Sequence, residues 1–462
     1  MGPHEEQTRA NGSIFGRIAS GVAANVLGKG WTLAVQLAAI PVLTTAWGTH
    51  GYGVWLMVSA VPVYISLSDF GFGSAAAVLM TKRYAIGDRD GALAAFQSGW
   101  ALLTLATGAI SLAACALWAW RAPIAATLGA PAPADDVSHA LILLTLYAAL
   151  LLQYNYVSTV FRATGRYGLG VVLQDVIIPI EGLVLIGVAL TGGGIVEAAA
   201  ATFITQGIGL VVFYIVMRRM APWARFGLAR ASARLLRELT APALGTLSIV
   251  ASHAIALQGS LLAVGFALSP TAAAVFGTVR SLTRIPLQFT GALSRAAIPE
   301  ISAAHARHDS ATSATLAAMG LALAVAVAAP SALFLTGFGP WLLRLMSDSA
   351  LNASFVVFGT LALAMALQTL WTVLSQYLLA IGRQHVVAHY YLPIAGLIAV
   401  APLTMRGAFA LESASLFIMA AEALMLVIVW RGFHAETALG AAQLRAAGAG
   451  AYARARALIL KR

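Results

Sequence analysis

Cysteine is almost absent: one residue, Cys115, among 462, so no intrachain disulfide can form, and its place in an apolar stretch marks it as an inert packing residue. Charge is equally scarce. Only 10% of residues are Asp, Glu, Lys or Arg, against about 25% in a soluble domain. With 60% hydrophobic residues and a mean hydropathy of +0.85, the chain reads as an integral membrane protein. No G-x-x-x-x-G-K-[ST] loop offers an ATP site, and no His, Cys or carboxylate spacing suits a metal. No connection expected outside the membrane exceeds about twenty residues. That disfavours an enzyme such as a membrane polymerase or ligase, which needs an extramembrane lobe for its acceptor. No cofactor is expected, and energy would come from a coupled proton or sodium ion.

What remains is apolar spans. Helices of about 20 apolar residues cross the hydrocarbon, and twelve are expected: 18–46, 52–80, 92–120, 138–162, 168–191, 195–217, 240–268, 271–299, 312–335, 351–380, 385–404 and 408–430. The expected divisions are an N-terminal segment to 17, a first six-helix bundle over 18–217, a basic linker over 218–239, a second bundle over 240–430 and a basic tail over 431–462. The first span is too long for a signal-peptide core and is expected to stay as a helix. The net charge of +11 gathers between spans rather than in a patch suited to nucleic acid. With the N-terminus cytoplasmic, 21 of the 28 Lys and Arg residues fall on cytoplasmic segments; Arg121, Arg344 and Arg406 fall outside, and Lys29, Arg280, Arg284 and Arg295 lie within spans. Both termini are therefore expected inside.

The halves echo one another. Ser158-Thr-Val-Phe-Arg-Ala-Thr-Gly-Arg166 closes the fourth span and Ser375-Gln-Tyr-Leu-Leu-Ala-Ile-Gly-Arg383 the tenth. A Gly ending the helix with an Arg on its carbonyls is capping physics that two unrelated helix ends could share. Six spans per half make a parallel repeat with its pseudo-twofold along the membrane normal. In the linker, Arg230, Arg234 and Arg237 would share one helix face and, like the tail, attract anionic lipid.

Cations within apolar spans cost at least ~2.5–3.5 kcal/mol and persist where they face protein or water. Lys29 and Asp69 sit at similar expected depth in adjacent spans, among Gly28, Gly30, Gly71 and Gly73. They read either as a neutralised structural pair or as one that opens to an anion or a proton. Arg280 and Arg284 share a helix face with no acid at i±3 or i±4, and Pro286 should kink the helix beyond them. Two guanidiniums on one face suit a phosphate. Arg295 is expected at the interface. Glu181 and Glu422 are candidate coupling or charge-pair groups, Glu181 as a counter-ion for Arg284 or as a buried neutral acid. Gln206 and His253 would add polarity to the cavity, although a histidine in such a span more often reads as a packed core residue.

Gly51-Tyr-Gly-Val-Trp55, Ser66-Leu-Ser-Asp-Phe-Gly71, Gly87-Asp-Arg-Asp-Gly91, the two A-x-G-R turns, and Arg284-Ile-Pro-Leu-Gln through Ala297-Ile-Pro-Glu-Ile301 together resemble the polysaccharide-transporter (Wzx-type) flippases. These form a branch of the MOP superfamily, related to the multidrug-extruding MATE proteins. The resemblance, over about residues 15–430, implies a MATE-like all-α fold with a central cavity that opens alternately to either side. It further implies a cargo of lipid-linked oligosaccharide on an undecaprenyl-pyrophosphate-type anchor, in the bacterial inner membrane, alongside other polysaccharide-assembly proteins. Placing cargo binding at Lys29, Arg280, Arg284, Gln206 and His253 follows from depth and charge, not from the family signature.

Overall fold

The computed structural model describes residues 3–66, 72–119, 134–307, 309–405, 407, 409–437, 439–446 and 449, with most side chains from residue 30 onward. Every regular element among them is helical, as a chain with little to offer water requires: in hydrocarbon each backbone N–H must find its partner within the segment.

Helix α1 (Pro3–Ser59) is two helices joined at Gly48, whose φ of 68° and ψ of 171° suit only a residue without Cβ. Trp47 beside the turn donates from Nε1 to Gly193 O at 2.9 Å. Then come α2 (Val61–Ser66), α3 (Phe72–Ala85), α4 (Arg89–Ala119), α5 (Ala134–Ala163), α6 (Tyr167–Leu190) and α7 (Ile195–Met220). Helix α8 (Ala233–Ala254) runs through a π turn at Ile255–Gly259 into α9 (Ser260–Ala267), and α10 (Pro270–Thr283) passes at Arg284 into α11 (Ile285–Ala306). The last four are α12 (Ser310–Met346), α13 (Phe355–Ala380), α14 (His385–Val400) and α15 (Ala410–Thr437).

Among the described residues ten helices are long and apolar enough to cross a membrane, which makes this a multi-pass membrane protein. Large apolar side chains such as Leu105, Ile208, Leu333 and Leu397 lie exposed on their outer faces, where lipid replaces water. The two other expected spans, 52–80 and 271–299, fall on interrupted helices. The first is divided among the end of α1, α2 and α3, and the second breaks at Arg284, two residues ahead of Pro286. Proline in the first turn of α11 needs no N–H partner, so the break falls where the chain tolerates it.

Helix α5 packs on α2, α3, α4 and α7; α13 packs on α11, α12 and α15; α8 and α14 flank the π turn. The most extensive seam between the early and late helices is α1 against α10. Its closeness depends on glycine: a Cβ on Gly53 would run into the carbonyl of Pro270, and one on Gly277 would come within 3.0 Å of Leu56 Cδ1.

The A-x-G-R segments form the same turn. Gly165 and Gly382 have φ of 73° and 77°, and the following amides return to the helix: Arg166 N to Phe161 O at 2.9 Å and Arg383 N to Leu378 O at 2.7 Å. The side chain of Arg383, however, pairs with Glu436 at 3.1 Å.

Two other expectations need correction. Arg230 shares no helix face with Arg234 and Arg237, because helix α8 starts only at Ala233. The preceding strand of chain is held across α4 instead: Gln97 donates to Arg225 O and accepts from Arg230 N, Ser98 accepts from Ser232 N, and Arg230 pairs with Asp90. Polar partners on α4 therefore outcompete a further turn at the start of α8. Cys115 lies exposed on α4 rather than packed inside. Asp69, the tail beyond residue 449, and the side chains of the N-terminal segment, Lys29 and Arg295 lie outside what the structure describes.

Candidate functional site: a cationic cavity at the helix seam

A cavity of about 210 Å³ opens between α1, the π turn, α10 and the start of α11. Its polar lining is Gln36 and Ser59 from α1, Gln258 from the π turn, Arg280 and Ser281 from α10, Arg284 at the break and Gln288 from α11. Leu56, Leu257 and Leu261 supply apolar wall. Amides and hydroxyls that both donate and accept surround two permanent positive charges.

The two arginines are held differently. Arg280 is 4% exposed. Its Nη1 donates to Leu257 O at 3.0 Å and, in a very short bond, to Ser260 Oγ; Nη2 donates to Ala256 O at 3.1 Å. The guanidinium also stands 5.5 Å from the Phe276 ring centroid. Arg284 is only partly buried, and its described hydrogen bond is a single 3.3 Å contact from Nη1 to Gln368 Oε1 on α13. Among the described residues neither arginine is in an ion pair with a carboxylate.

Behind this wall lies a polar–aromatic layer. Glu422 on α15, fully buried, accepts from Trp371 Nε1 at 2.7 Å. Trp371 meets Tyr391 edge-on at 5.0 Å, and Tyr391 meets His253 edge-on at 4.7 Å. His253 Nδ1 lies 3.0 Å from Ile249 O, so that nitrogen carries the proton. Glu422 is within electrostatic reach of both arginines without touching them.

The structure thus brings Arg280 and Arg284 to one cavity and sets His253 and Glu422 in the layer behind it. Gln206 is not on this cavity: it is buried on α7, which packs against α5 and α6, and its Nε2 has no hydrogen-bond partner among the described residues. Glu181 is not the counter-ion of Arg284. It accepts at 3.3 Å from Tyr147 on α5, since the face of α6 that carries it turns toward α5. Four glutamines, Gln36, Gln258, Gln288 and Gln368, were missed by a reading that followed charge. Each is an amide within an otherwise apolar run, and that was the available signal.

No family model matches the chain, and no curated protein matches it. Among solved structures, an inward-facing MATE multidrug transporter of the MOP superfamily aligns with 87% of this chain and 98% of its own, at a TM-score of 0.69 and 14% identity. An outward-facing MATE structure aligns with 91% of this chain and 95% of its own, at a TM-score of 0.64 and 14% identity. A MOP-superfamily transporter from Pyrococcus furiosus, described as having a binding pocket of reverse polarity that suggests a different function, aligns with the same shares at a TM-score of 0.65 and 14% identity. The chain therefore has the fold of the MATE transporters of the MOP superfamily.

Proposed function

We propose that this protein is a flippase that moves a lipid-linked oligosaccharide, an undecaprenyl-pyrophosphate-linked repeat unit, from the cytoplasmic to the periplasmic leaflet by alternating access. The observation that carries the reading is the cavity itself: arginines and several amides together, with no ion-paired acid among its described lining. Arginine is suited to a pyrophosphate, and amides exchange hydrogen bonds with sugar hydroxyls, while the lipid tail stays in the bilayer. In this reading twelve spans form two six-helix bundles in the bacterial inner membrane, with both termini cytoplasmic. The fold occurs in inward-facing and outward-facing forms among its neighbours, which supports rocking about the α1–α10 seam. A proton or sodium ion would be coupled through Asp69, Glu181 or Glu422. The membrane potential acts on such a charge at ~2.3 kcal/mol per 100 mV.

The competing reading is a drug or cation antiporter, because the neighbours include multidrug transporters. A cationic cargo would want acids in the cavity where this chain has arginines. The test is a deletion strain. Lipid-linked single repeat units should accumulate on the cytoplasmic face, and Arg284→Ala should fail to restore surface polysaccharide although the protein inserts. Accumulation on the outer face, or full restoration by the variant, would reject the proposal.

A further inference from the structure

Arg280 and Arg284 differ in what they have left to offer a ligand. Most of what Arg280 can donate is taken up inside the protein: Nη1 and Nη2 are bound to Ala256 O, Leu257 O and Ser260 Oγ, Nε is buried with no partner among the described residues, and the side chain is 4% exposed. All three acceptors lie in or directly after the Ile255–Gly259 π turn. A π turn accommodates one residue more than an α-helix and leaves carbonyls without an ideal partner. Arg280 supplies those partners. Ser260 completes the arrangement: its hydroxyl donates to Ala256 O at 2.7 Å while accepting from Arg280.

The turn is also pinned from outside. A Cβ on Gly259 would meet the Tyr64 hydroxyl of α2 at 2.9 Å and Ala399 Cα of α14 at 3.4 Å. The turn is thus wedged between α2 and α14, and Leu257 and Gln258 form cavity wall. Reversion to an α-helical register would rotate Gln258 by about 100°, one residue's step, away from the cavity. Arg284 has the opposite character: it is partly exposed at the cavity, and a neutral amide oxygen at 3.3 Å is its described partner.

We propose that Arg280 is a positioning residue that clamps the π turn so that Gln258 lines the cavity, and that Arg284 alone meets the anionic group of the cargo. This rests on the anionic cargo proposed above and divides the roles of the two arginines within it.

The test uses the full chain with Cys115→Ala, in nanodiscs of zwitterionic lipid, with farnesyl pyrophosphate and its neutral alcohol farnesol as probes. Gln258→Cys reports the cavity wall through its maleimide labelling rate. Arg284→Gln should weaken farnesyl pyrophosphate binding by about tenfold or more, the loss of one charge-assisted contact, and remove its preference over farnesol. Labelling of Cys at 258 should not change. Arg280→Gln should keep the pyrophosphate preference and shift the labelling rate severalfold. Ser260→Ala, which leaves both charges in place, should shift labelling in the same direction.

Loss of preference in Arg280→Gln, or labelling unmoved by both Arg280→Gln and Ser260→Ala, would overturn the division of roles. If the unsubstituted protein shows no preference for the pyrophosphate, the cargo reading and the role of Arg284 fail, and labelling still decides the clamp.

Discussion

Gly53→Ala adds one methyl group where α1 passes α10, and its effect can be worked through from the seam. The new Cβ would overlap the Pro270 carbonyl and lie 3.1 Å from Pro270 Cα, both backbone, so no side chain can rotate out of the way. The helices must separate, and overpacking of this kind costs ~1–3 kcal/mol. Alanine in place of glycine within a helix otherwise stabilises it by up to ~1 kcal/mol. The sign is therefore informative: a helix-propensity effect alone would raise stability, while the seam predicts a loss.

If the protein rocks about this seam, as proposed, the penalty falls only on the state in which α1 and α10 touch. A difference of ~1–3 kcal/mol moves a two-state equilibrium by about 5–150-fold. Spin labels or cysteines placed on α1 and α10 in a Cys115→Ala background should report a larger fraction of the separated state, by pulsed distance measurement or cross-linking yield. Gly277→Ala, which meets only the movable side-chain ends of Leu56 at 3.0 Å and Leu261 at 3.2 Å, should have a smaller effect. Unchanged distances together with raised thermal stability in Gly53→Ala would refute the seam as a touching surface.

Three other outcomes follow from local geometry. Trp371→Phe leaves the buried Glu422 Oε2 without its 2.7 Å donor, an expected loss of ~1–3 kcal/mol in detergent melting. Adding Glu422→Gln should recover part of that loss, and strict additivity would argue against the bond. Gly165→Ala and Gly382→Ala force a side chain into left-handed backbone at φ of 73° and 77°. Each should destabilise by ~1–2 kcal/mol, and a neutral result at either would contradict the shared turn. Asp88 accepts from Gly91 N at 2.7 Å and from Arg83 at 3.0 Å, while Asp309 accepts from Thr312 N at 2.9 Å. The bonds from Gly91 and then Arg83 hold the Asp88 carboxyl below the usual range, and those from Thr312 do the same for Asp309. A depressed carboxyl stabilises the fold above its unfolded value and loses that contribution as pH falls through the folded one. Hydrogen exchange at the starts of α4 and α12 should therefore quicken only in acid below the ordinary carboxylate range. Asp88→Asn and Asp309→Asn should flatten that dependence.

The sequence by itself determined the solvent of this protein. With so few charges and so many apolar runs, only helices in a bilayer satisfy the backbone, and the same scarcity made Arg280 and Arg284 conspicuous. The spacing of four put both on one helix face, and Gly165 and Gly382 announced the repeated turn, because left-handed backbone selects glycine wherever it occurs. What only the tertiary structure decided is which polar groups meet. Glu181 and Glu422 are equivalent as acids in apolar sequence, yet packing turns one to Tyr147 and the other to Trp371 behind the arginines. Gln206 and Gln258 are equally polar, and only the second reaches the cavity. The unequal roles of two neighbouring arginines arise from a π turn whose carbonyls sit some twenty residues earlier in the chain. Periodicity within one helix specifies a face, but the partner on that face belongs to another segment, and close approach at glycines such as Gly53 and Gly259 selects it.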